Sequence, residues 1–106
     1  TRLPPSLASM HVRFSDTAED DLEAIFDHIA QDNPKAAQKI IDRLIFAAYQ
    51  LGDFPFLGRT GIVPDTREWS VSGTSYFIVY SINDDRAHID VETIIHTSRQ
   101  YPPLTD

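Results

Sequence analysis

The sequence predicts an α+β domain in the order β-α-α-β-β-β, an antiparallel helical hairpin packed on one face of a mostly antiparallel sheet. Three observations predict it. Two apolar stripes at helical spacing follow one another across a very short linker. Three strand-like runs fill the second half of the chain. A single short strand precedes the hairpin, and every one of these surfaces is apolar on one side, so one hairpin on one sheet buries them together.

Residues 1–10 read as an irregular leader, because Pro4 and Pro5 bar a helix there, and 11–106 read as one domain. His11 to Phe14 is a short strand, with Val12 and Phe14 on one side. The first helix begins after Ser15. Asp16, Thr17 and Glu19 resemble a capping box, and Ala18, Leu22, Ile25, Phe26 and Ile29 form its stripe. Asn33 is a good N-cap and Pro34 a good first residue for the second helix. Its stripe is Ala37, Ile40, Ile41, Leu44, Ala48 and Leu51, and Gly52 is the expected C-cap. Asp53 to Asp65 is a loop whose aromatics are expected to fold back under the hairpin. The strands then follow: Thr66 to Ser72, Ser75 to Ile82 after a Gly73-Thr74 turn, and Ala87 to His96 after the cluster Asn83-Asp84-Asp85-Arg86. In the last strand Ile89, Val91 and Ile95 alternate against His88, Asp90, Glu92 and His96.

Composition narrows the function. The 106 residues hold nine basic and sixteen acidic side chains, for a net charge of -7. Phosphate binding rests on Lys and Arg, so direct sequence-specific nucleic-acid binding is not expected. There is no cysteine, which excludes thiolate metal sites and points to the cytoplasm. No apolar run approaches the roughly 20 residues that span a bilayer, so no membrane association is expected. The row His88, Asp90, Glu92, His96 spreads about 7 Å per pair and is read as a solvated face rather than a metal site. No metal and no other cofactor is expected.

Several passages follow one another in a set order: Val12-Arg13-Phe14-Ser15 through Leu22, Ile29-Ala30-Gln31-Asp32-Asn33-Pro34-Lys35-Ala36-Ala37, Pro55 through Gly61 with Gly58-Arg59 at its centre, Thr66-Arg67-Glu68, Tyr76 to Tyr80, and Ile94 to Pro102. Together they resemble the ParE branch of the RelE/ParE toxin superfamily. Each is weak alone, and their order is specific. The resemblance implies the toxin of a type II toxin–antitoxin pair that poisons DNA gyrase and is neutralised by a ParD-like antitoxin. That partner would be a small DNA-binding dimer whose disordered tail folds along the toxin. RelE-like relatives instead cleave mRNA on the ribosome, and for that work carry an Arg within the strand matching Tyr76 to Tyr80. Here the interior is Phe77-Ile78-Val79. The absent cation favours a binding protein over an enzyme, so no catalytic residue is assigned. A ribosome-dependent mRNA endonuclease stays open as an alternative, and so does a non-toxic relative that only binds antitoxin.

The candidate target- or antitoxin-binding residues are Arg59, Arg67, His96, Arg99 and Tyr101. For the two loop arginines a bland reading competes, namely local ion pairs, with Arg67 reaching an acid on the hairpin. For the C-terminal three it is strand-end packing and a solvated tail. Trp69, Tyr76 and Tyr80 could stack on bases, but packing on the sheet is the better reading.

Overall fold

The computed structural model describes residues 9–104, so most of the expected leader lies outside the described residues. The elements are β1 (His11–Phe14), α1 (Asp16–Ala30), α2 (Pro34–Asp53), β2 (Arg59–Thr60), β3 (Arg67–Ser70), β4 (Tyr76–Asn83) and β5 (His88–His96). They form one five-stranded sheet in the order β1-β5-β4-β3-β2. Only the β1–β5 pair is parallel. The two helices pack on one face of this sheet, as the stripes require. The strand β2 is an addition. It lies inside the expected loop, where two residues are too few to show any alternation.

Helix caps follow local chemistry. Ser15 has extended dihedrals, and its Oγ accepts the Ala18 amide at 3.0 Å. The cap is therefore Ser15, one residue before the expected box, and Asp16 is already helical. The same Oγ donates to the Glu92 carbonyl at 2.7 Å, tying the helix start to β5. Asn33 caps α2 as expected, accepting the Ala36 amide at 3.1 Å.

The other end of α2 differs from expectation. Gly52 is a buried helical residue, and Phe54 is the C-cap. The Gly52 carbonyl accepts the Met10 amide at 2.8 Å. A Cβ there would sit 2.5 Å from the Met10 carbonyl oxygen. The glycine serves a close backbone approach, not a cap.

The core joins Ile25, Leu44, Ala48 and Leu51 from the hairpin to Ile78, Tyr80, Ile89, Val91 and Ile94 from the sheet. Trp69 and Tyr76 pack against it, which settles the aromatics as packing residues. One irregularity matters for the site. Tyr80 pairs with Val91, but Val79 pairs with Thr93, so Glu92 is an extra residue in β5. Such a bulge reverses the facing of everything beyond it. Ile94, rather than Ile95, therefore joins Ile89 and Val91 in the core. No helix among the described residues is long and apolar enough to cross a membrane.

Candidate functional site

The five candidate residues fall in three places. Arg59 and Arg67 sit at the β2–β3 edge. The Arg59 guanidinium lies 3.0 Å from the Glu68 carboxylate, whose other oxygen accepts the Ile62 amide at 3.1 Å. Glu68 is only 5% exposed, so its charge needs these partners. Arg67 has no acid on the hairpin, contrary to expectation. It donates to the Gly58 carbonyl at 2.5 Å and lies 4.8 Å from the centre of the Phe56 ring. Both arginines thus hold the Pro55–Gly61 loop on the sheet. Tyr80 completes that clasp: its hydroxyl accepts the Gly58 amide at 2.8 Å and donates to the Pro55 carbonyl at 2.7 Å.

Tyr101 stands on the sheet face opposite the helices. Its ring meets Phe77 edge-on, with centroids 5.9 Å apart. Partial burial pushes its phenol above the ordinary value, and the nearby Glu68 and Glu92 charges push the same way. That face carries Glu68, Phe77, Val79, Ser81 and Glu92, with the Ser81 hydroxyl donating to Glu92 at 2.8 Å. Two arginines lie on that side among the described residues, each beside a carboxylate: Arg59 with Glu68 at 3.0 Å and Arg13 with Asp90 at 3.7 Å. The face is aromatic and acidic.

His96 and Arg99 lie elsewhere. The bulge at Glu92 turns His96 to the helix side, where it packs edge-on against Tyr76 at 5.1 Å. The expected single row of His88, Asp90, Glu92 and His96 therefore does not exist. His88 is buried rather than solvated, 3.3 Å from Asp90. His96 and Arg99 instead line a cleft against α1, with Asp21 and His28.

A surface that sequence reasoning did not assign to residues lies between α2 and β3. Arg43, Phe46, Gln50 and Trp69 line a groove there. Phe46 is 66% exposed, and Phe54 and Phe56 stand 62% and 70% exposed beyond it. The loop aromatics thus point outward rather than under the hairpin, because the Tyr80 and Arg67 clasp takes the loop backbone inward instead. Phe46, Gln50 and Phe54 recur every four residues outside the core stripe, a signal legible in retrospect.

Comparison with known proteins agrees with this architecture. A curated candidate toxin of Sinorhizobium fredii, Y4kP, is 29% identical over 98 residues, covering 92% of this chain and 99% of that one. The solved chromosomal ParDE toxin–antitoxin system of P. aeruginosa superposes with a TM-score of 0.74 at 21% identity, over 83% of this chain and 96% of that one. The RelBE2 toxin–antitoxin complex of Mycobacterium tuberculosis gives 0.64 at 22% identity, over 84% and 99%. Residues 12–101 match the family described as ParE toxin of type II toxin–antitoxin system, parDE. The chain belongs to the ParE toxin family of type II toxin–antitoxin systems.

Proposed function

We propose that this toxin acts in the cytoplasm by binding DNA gyrase and poisoning it, without a catalytic centre of its own. The observation that carries the reading is the sheet face under Tyr101. A phosphodiester-cleaving site needs cations aimed at the scissile phosphate. This face presents the exposed Glu92, while its arginines are each set against an acid, Arg59 against the buried Glu68 and Arg13 against Asp90. Carboxylates there repel a phosphate backbone, and the net charge of -7 adds to that repulsion. The test is direct. Purified toxin should inhibit gyrase supercoiling and accumulate cleaved DNA, and should leave mRNA on ribosomes intact. Unchanged supercoiling, or codon-dependent mRNA cleavage, would overturn the reading.

The same toxin is neutralised by a ParD-like antitoxin whose amphipathic helix lies in the α2–β3 groove. Exposed Phe46 and the half-buried Trp69 offer the apolar anchors such a helix seeks. The chain's net charge of -7 favours a partner segment that carries basic residues. Phe46→Lys should leave the fold intact and weaken antitoxin binding about tenfold or more, as loss of an aromatic anchor does. Equal binding by both proteins in titration calorimetry would remove the groove from the interface.

A further inference from the structure

The cleft that holds His96 and Arg99 has no part in the function proposed above. It is bounded by α1 on one side and by the end of β5 and the following tail on the other. Its volume is about 490 Å³, in the range of ligand-binding clefts. A second depression of about 500 Å³ adjoins it, running past Ile29 and Ile40 to the β3–β4 turn. His28, Tyr76 and His96 line both, so the two form one elongated groove.

The groove has a polar end and an apolar end. At the polar end one Asp21 oxygen accepts both the Thr93 hydroxyl and the Ile94 amide, which fixes that carboxylate against β5. Arg99 is exposed and has no carboxylate partner among the described residues. His96 is oriented. Its Nδ1 accepts the Ser98 amide at 3.1 Å, and a backbone N–H only donates. In neutral His96 the proton therefore sits on Nε2, which makes that nitrogen a donor. The Arg99 guanidinium and His96 Nε2 thus supply donors that meet no acceptor among the described residues, in a cleft whose one carboxylate, Asp21, is held against β5. Past the shared residues His28, Tyr76 and His96, Ile29 and Ile40 are half-buried and pack on the core, leaving apolar surface on the groove wall.

We infer that this groove binds an extended segment of a partner protein, one that sets an Asp or Glu carboxylate against Arg99 and His96 and an apolar side chain against Ile29 and Ile40. Length favours a peptide over a compact metabolite, since a free anion would use only the polar end. The groove shares no lining residue with the α2–β3 groove, and the two meet where Gly73 lies against the Arg43 guanidinium.

Short random peptides displayed on phage, selected on the purified toxin and counter-selected on Arg99→Gln, test this. Peptides pairing an acidic with an aliphatic or aromatic residue should be enriched. A synthetic peptide from that pool should shift the NMR signals of His28, Tyr76 and His96. Its Glu→Gln version should bind about tenfold more weakly, the usual worth of a charge-assisted hydrogen bond. On Arg99→Gln the two peptides should bind alike, and Arg99→Lys should restore the preference if the Gln variant melts early. Phe46→Lys should bind the peptide as well as the parent does. Absence of Arg99-dependent enrichment, enrichment of basic peptides, or shifts mapping outside the groove would overturn the inference. So would inorganic phosphate producing the same shifts and fully displacing the peptide.

Discussion

Replacing Tyr80 by Phe isolates the clasp that holds the Pro55–Gly61 loop. The ring is fully buried and Phe retains it, so no cavity opens around the aromatic atoms. What disappears is one oxygen that accepts the Gly58 amide and donates to the Pro55 carbonyl. Gly58 is buried, and its amide loses its partner outright. Pro55 is half-buried and can turn to water. Two bonds of about 1 kcal/mol each, plus the stranded amide, give a loss of about 2 to 3 kcal/mol. For a domain of this size that lowers Tm by roughly 10 to 20 °C. Calorimetric melting measures it, and amide exchange at Gly58 should speed up with it. The variant also carries a pH signature. Burial pushes the Tyr80 phenol above its ordinary value of 10.0, outweighing the lowering effects of the Gly58 hydrogen bond and of Arg67. Above pH 10 the unfolded chain therefore releases this proton before the folded one does. Stability is at its full value below that pH and declines as pH rises toward the folded pKa. The Phe variant lacks the Tyr80 part of this alkaline decline, while the raised Tyr101 phenol keeps its own. A Tm within a degree or two of the parent, with Gly58 still protected, would refute the clasp.

Other consequences follow from single contacts. Gly52→Ala should destabilise by more than about 1 kcal/mol, although Ala is the better helix former by about that amount, because its Cβ meets the Met10 carbonyl; urea unfolding gives the sign, and a stabilised variant would contradict the close approach. Asp21→Ala strands the Thr93 hydroxyl and the Ile94 amide, so a loss of about 1 to 3 kcal/mol and faster exchange at Ile94 are expected. Glu68→Ala removes the acceptor of both Arg59 and the Ile62 amide; β2 should loosen, seen as faster exchange on either side of Thr60. The Arg59 partner is largely exposed, so the hydrogen bond to Ile62 carries most of the expected loss of about 1 kcal/mol.

Much of the fold was legible. Both helical stripes, the Asn33-Pro34 start, the hairpin sheet and the packing of Trp69, Tyr76 and Tyr80 were read from periodicity and turn chemistry. The phase of β5 was not. Ile94 and Ile95 are both apolar, so alternation is satisfied with either one inward, and only the extra residue at Glu92 decides. That one residue moved His96 from the open sheet face into the cleft. The candidate residues were likewise visible as types but not as groups. Arg59 and Glu68 are nine residues apart and meet only because β2 pairs with β3.

The order of the main elements, the stripes by which the two helices pack, the acidic balance and the family resemblance were set by the sequence alone, because periodicity, capping and charge are properties of neighbouring residues. Tertiary structure decided the rest. It made Gly52 a contact point for Met10, turned Phe54 and Phe56 outward, and divided five candidate residues among a loop clasp, an acidic face and a cleft. Each of these depends on backbone approach or strand register between segments distant in the chain, and no local pattern encodes such a distance.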